Sequence, residues 1–249
     1  MFDILSTIGL TASASLVIGF LAYAMAETSR GRLTVAGVLI AWFVLVLAIG
    51  AGGALDPTRG LGVPALGLTV VLPVVALVCA FFAFGPIRAA MLATPLPALV
   101  AVNTIRILGV IFVALYAAGR LPAPFAPSAG WGDIVVGVTA APLAWSIARF
   151  GARVQMLALL WNVFGAADLV NAIALGALSA PGPLNAFAGP PTSAIMTSLP
   201  WLLIPGFLVP SLFFVHVVIF YRLLAKNEAS EPHRQGLRKR LNTRFAKSA

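Results

Sequence analysis

Charge is what this sequence has least of. Only 9% of its 249 residues are Asp, Glu, Lys or Arg, against 61% hydrophobic, whereas a soluble domain carries about a quarter charged residues. Such a chain has too little polar surface to coat a water-soluble globule. Cysteine is almost missing. Cys79 stands alone inside an apolar run, which excludes an intrachain disulfide and any zinc site built on cysteines. Lysine is confined to Lys226, Lys239 and Lys247, all beyond the last apolar run. A retinal Schiff base needs a lysine within the helices, so that option is excluded. Also missing are HExxH, GxSxG and phosphate-binding-loop motifs, a pair of intramembrane histidines for haem, and a close acidic cluster that would hold magnesium. No catalytic, cofactor-binding or metal-ligating residue is assigned, and an enzyme is not expected.

What the chain has in abundance is long apolar runs. A helix rises about 1.5 Å per residue and bilayer hydrocarbon is about 30 Å thick, so a crossing takes about 20 mostly apolar residues. Seven runs meet that length, at about 4–26, 33–51, 65–84, 97–118, 131–148, 154–178 and 199–224, separated by charged or turn-rich breaks. The expected fold class is all-α: a polytopic integral membrane protein, a bundle of seven transmembrane helices over 1–225 with a basic tail over 226–249. Ala24-Met25-Ala26 resembles the end of a cleavable signal peptide. The start carries Asp3 in place of a basic region, however, and the first run is too long for a signal core. The first helix is read as retained.

Cytoplasmic loops hold the excess of Lys and Arg, which sets orientation. Arg30, Arg32, Arg88, Arg149, Arg153 and the tail fall on one side, Arg59 and Arg120 on the other. The N-terminus is therefore expected outside and the C-terminus in the cytosol. The preference for Arg over Lys and the abundance of Ala and Gly have a bacterial cast, which would make the bilayer a bacterial plasma membrane. The net charge of +9 does not argue for nucleic acid, because seven of the sixteen basic residues lie in the tail. There Arg234, Arg238, Lys239, Arg240 and Arg244 surround Leu237, Leu241 and Phe245, a narrow amphipathic stripe suited to anionic lipid.

Ionisable residues inside the runs carry the functional information. Arg106 lies near the middle of the fourth run and cannot escape burial by losing its proton. A charge at that depth costs about 2.5 to 3.5 kcal/mol on insertion scales, so it needs a partner or a wet cavity. Asp168, in the sixth run, sits roughly 7 Å further out by the helical rise and is the preferred partner. Asp133 follows Gly130-Trp131-Gly132 near the start of the fifth run, where capping or a first-turn acid is the favoured role. Trp161, Gly165, Asp168 and Ala172 share one stripe of the sixth helix, with Asn171 beside it. Asn103 shares a face with Arg106, and His216 in the seventh run lies at a depth close to Asn103. Arg106, Asp168, Asp133, Asn103, His216 and Asn171 thus form a candidate polar ladder. Asn162 is expected to serve interhelical hydrogen bonding.

Two classes of function fit. Charged residues inside spans usually mark a pathway, which points to a carrier or channel for a small solute or protons. The alternative is a receptor or assembly factor in which the charge pair locks helix register and the tail or outer loops make contacts. The outer stretches 121–127 and 179–198 are nearly uncharged and proline-rich, as expected of linkers or of segments that rest on the membrane.

Overall fold

A computed structural model describes residues 2–57, 62–182, 185–187 and 189–225. The tail, with Arg234, Arg238, Lys239, Arg240 and Arg244, and also Arg59, lies outside the described residues. Among those described there is no strand. The helices are α1 (Phe2–Ala24), α2 (Ser29–Ala51), α3 (Gly62–Ala83), α4 (Gly85–Ala93), α5 (Leu96–Ala101), α6 (Val110–Ala117), α7 (Phe125–Phe150) and α8 (Gln155–Leu178), followed by α9 (Ile204–Ala225). A 3-10 stretch, Val102–Gly109, joins α5 to α6. The whole of Leu96–Ala117 is one span-length rod.

Six stretches are long and apolar enough to cross a membrane. The longest, Phe125–Leu178, covers 54 residues and is a hairpin of α7 and α8. It turns at Gly151, whose φ of 55° favours glycine. Trp161 Nε1 donates to Thr139 Oγ1 at 2.9 Å and Asn171 Nδ2 to Ser128 Oγ at 2.8 Å, clamping the two arms along their length. Counted as two helices, the hairpin brings the total to seven.

Local chemistry explains the breaks. Thr28 caps α2, its hydroxyl accepting from the Gly31 amide at 3.1 Å. Pro86 in the first turn of α4 and Pro95 before α5 are tolerated because the first amides of a helix have no partner to lose. In α9 the first turn is π-helical, Ile204–Leu208, and contains Pro205. A proline cannot donate, and the wider turn accommodates it.

Two helix starts differ from the starts of the expected runs. The fifth run was expected to begin near 131, but α7 begins at Phe125. Its first turn buries Phe125, Ala126 and Ala129, and the Phe125 ring meets Phe112 edge-on at 5.6 Å. The prolines of 121–127 read as loop, yet one in a first helical turn removes no helical hydrogen bond. The seventh run was expected from 199, whereas 199–202 is turn and helix follows it, its π-helical turn starting at Ile204. The short α4 had no counterpart among the expected runs.

Contacts between chain-distant residues sort the helix ends into two groups. At one, the Arg222 guanidinium donates to the Thr94 carbonyl and Gln155 to the Leu223 carbonyl. At the other, Arg120 pairs with Asp3 at 2.6 Å and lies over the Trp201 ring, which stacks on Phe2. The start of α1 and the end of α9 are therefore at opposite ends. Of the stretch 179–198, part caps the helices: Ser193 donates to the Gly176 carbonyl at 2.6 Å, and Met196 and Thr197 are buried.

Candidate functional site

The helices pack most closely where Leu96–Ala117 meets α7, and glycine is the reason. A Cβ on Gly130 would come within 2.7 Å of Val113 Cγ2, and one on Gly137 would overlap the backbone of Ile107. Small residues let helix backbones approach in a bilayer, where no hydrophobic force drives them together. The 3-10 stretch lies on this contact and carries Arg106. A tighter helix of this kind in mid-span often marks a functional or strained segment.

Arg106 spreads its donors over three other helices. Nε donates to Asp133 Oδ1 of α7 at 2.6 Å, and Nη2 to Asp168 Oδ2 of α8 at 2.6 Å. Nη1 reaches the Gly165 carbonyl of α8 at 3.0 Å and His216 Nε2 of α9 at 3.1 Å. The side chain is 1% exposed, with Asp133 at 16% and Asp168 at 7%. Burial at this level is tolerable only because the charge is paired and its N–H groups are occupied.

A guanidinium can only donate, so His216 Nε2 accepts and the ring proton sits on Nδ1. That proton goes to Asn162 Oδ1 at 2.7 Å, and Asn162 Nδ2 returns a bond to the His216 carbonyl at 3.0 Å. Trp161 lies against the imidazole with centroids 5.6 Å apart. Gly165 makes room for this arrangement, since a Cβ there would stand 2.6 Å from His216 Cε1. Gly132 plays the same part on α7, where a Cβ would overlap Asp168 Oδ1.

Arg106, Asp168, Asp133 and His216 thus come together. Asp133 lies more than two turns inside α7, so the favoured capping role is corrected: it is a partner of Arg106. Asn103 is fully buried but bonds its own helix, Nδ2 reaching the Leu99 carbonyl at 3.2 Å and the Val100 carbonyl at 3.4 Å. Its Oδ1 has no partner among the described residues. Asn171 is exposed and bonds Ser128, away from the guanidinium. Asn162, expected only to bridge helices, and Gly165 belong to the cluster. The depth shared by Asn162 and His216 was the available signal.

Two openings flank the cluster. One is an open groove between the N-terminal half of α7 and the C-terminal half of α8, lined by Ser128, Trp131, Gly132, Phe164, Asp168 and Asn171 among others. The other is a small, mostly apolar and partly open cavity bounded by Leu10, Arg106, Asp133, Ile204 and Leu208, among others. Arg106 stands between them, with one carboxylate toward each. Among the described residues no three of His, Cys, Asp and Glu gather as metal ligands would. Neither the curated proteins nor the solved structures give a match to this sequence. A family profile does match, over residues 63–224, a segment that contains the whole cluster; the chain belongs to the family described as Domain of unknown function (DUF8737).

Proposed function

We propose that the protein is a seven-span carrier of the bacterial plasma membrane, N-terminus outside and C-terminus cytosolic. In this reading the Arg106 cluster couples a small solute to protons. The observation that carries it is the charge count: one guanidinium serves two carboxylates, Asp133 and Asp168. With both acids ionised the cluster is short of one positive charge, which a proton or a cationic solute supplies. Asp168 borders the groove and Asp133 the small cavity, so each acid has an opening of its own. The 3-10 stretch of Arg106 and the π turn of α9 at the small cavity are the irregular segments on which such a switch would act. The tail residues Arg234, Arg238, Lys239, Arg240 and Arg244 would then face anionic lipid on the cytosolic leaflet, where each basic residue contributes about 1 kcal/mol.

A second reading has its own observation. The near-complete occupation of Arg106 by four hydrogen bonds suits a structural lock in a receptor or assembly factor. The two readings part in a flux experiment. Purified protein in vesicles with a pH-sensitive dye inside should move protons with one member of a small-solute panel. Vesicles that stay tight under both pH and voltage gradients would leave the lock standing. Orientation has a separate check: a reporter active only in the cytosol should work when fused after Ala249, and a silent fusion there, with a periplasm-active one working, would reverse the topology.

A further inference from the structure

We propose that the groove between α7 and α8 is a binding site for a lipophilic organic monocation, with Asp168 as its counter-charge. The inference deepens the carrier reading and rests on it for the location of the groove within the bilayer. Four observations carry it.

The first is charge. Asp168 is 7% exposed at the side chain, and only its Oδ2 receives the Arg106 guanidinium. Among the described residues no hydrogen bond reaches Oδ1, which itself fills the space a side chain on Gly132 would take. Since Asp133 shares the same guanidinium, the cluster attracts a cation and repels an anion.

The second is the wall. Trp131 and Phe164 line the groove beside Asp168 and are 58% and 47% exposed. Aromatic faces stabilise a cation by about 0.5 to 2 kcal/mol, Trp most strongly, and do so best for cations too diffuse to hold a tight water shell. Val135, also on the wall, is 46% exposed and adds apolar surface.

The third is shape. The groove offers about 600 Å³ and is wide open to the outside, which is the scale of an organic molecule and far beyond that of a bare metal ion. The fourth is the approach. Ser128, in the first turn of α7, and Asn171, one turn outward from Asp168, form a hydrogen-bonded polar step at the mouth. The ligand class that satisfies all four is an amphiphile with a single delocalised or alkylated positive centre.

Tetraphenylphosphonium is the probe. Equilibrium dialysis of the detergent-purified full chain should give saturable binding of one probe per chain. Asp168→Asn should weaken it at least tenfold. Trp131→Ala alters an exposed side chain, so it keeps the fold and should weaken binding several-fold. An uncharged analogue of the same size, tetraphenylmethane, should not compete. The proposal is overturned by saturable binding that neither substitution changes, by equal competition from the neutral analogue, or by no binding above the Asp168→Asn level. Proton flux in vesicles without the probe is scored separately. Flux without binding removes this site and keeps the carrier; binding without flux removes the carrier and keeps the site.

Discussion

Two membrane-length segments of nearly equal size and apolarity have opposite places in this protein. α2 has 23 residues and the Leu96–Ala117 rod 22, and both are strongly apolar, yet 11% of the apolar stretch of the first is buried against 50% of that of the second. α2 turns Leu33, Val38, Ile40, Val44 and Leu45 outward and packs mainly along α1, with Trp42 and Phe43 against Phe207 of α9. The rod carries Asn103, Arg106 and Gly109 and lies at the centre. Apolarity thus says that a helix can cross a bilayer and little about where it sits. Small and polar residues decide the centre, because in lipid they are what gives one helix a reason to prefer another.

That contrast can be broken most directly at Arg106. Arg106→Leu leaves two buried carboxylates without their cation and should lower stability in detergent by about 3 to 5 kcal/mol, seen as lost monodisperse yield. Combining it with Asp133→Asn and Asp168→Asn should recover much of the yield. A triple variant as damaged as the single would mean the charges do not depend on one another.

The carboxylates sharpen the comparison. Asp133→Asn or Asp168→Asn alone still leaves Arg106 an acid, so each should cost about 1.5 to 3 kcal/mol, the usual range for a hydrogen bond to a charged group. The double variant strands the guanidinium and should lose more than the sum, measured as coupling in a thermal-unfolding cycle. Strict additivity would show that the two acids do not share it.

Smaller effects separate centre from edge. Gly137→Ala drives a methyl into the Ile107 backbone, which has no rotamer to yield, and should cost about 1 to 3 kcal/mol. Gly37→Ala in α2 meets nothing within 4 Å and should be neutral or stabilising by up to about 1 kcal/mol, through helix propensity alone. Equal unfolding midpoints for the two would contradict the glycine account of the close contact.

The all-helical class was legible because apolar runs of 20 residues have few other uses, and Arg106 with Asp168 was legible because an ionisable residue in such a run has to be explained. Asp133 was misread for a local reason. Pro122, Pro124 and Pro127 disguise the start of α7, so an acid inside the helix looked like one at its edge. Asn162 was noticed, but a hydrogen-bonding role between helices did not reveal that its partner would be the histidine facing Arg106. The 3-10 stretch has no sequence mark of its own, since it follows from packing against Gly130 and Gly137 on another helix. α4 has nine residues, too few to stand out as a run.

The measurement that bears most directly on the central claim is solute-dependent proton flux in vesicles carrying wild type or Asp168→Asn, each verified as folded by the same elution profile. The account predicts flux in the wild type under an imposed pH or voltage gradient and none in Asp168→Asn. Wild-type vesicles that stay tight across a broad solute panel, or an Asp168→Asn protein that moves protons as well as the wild type, would contradict it.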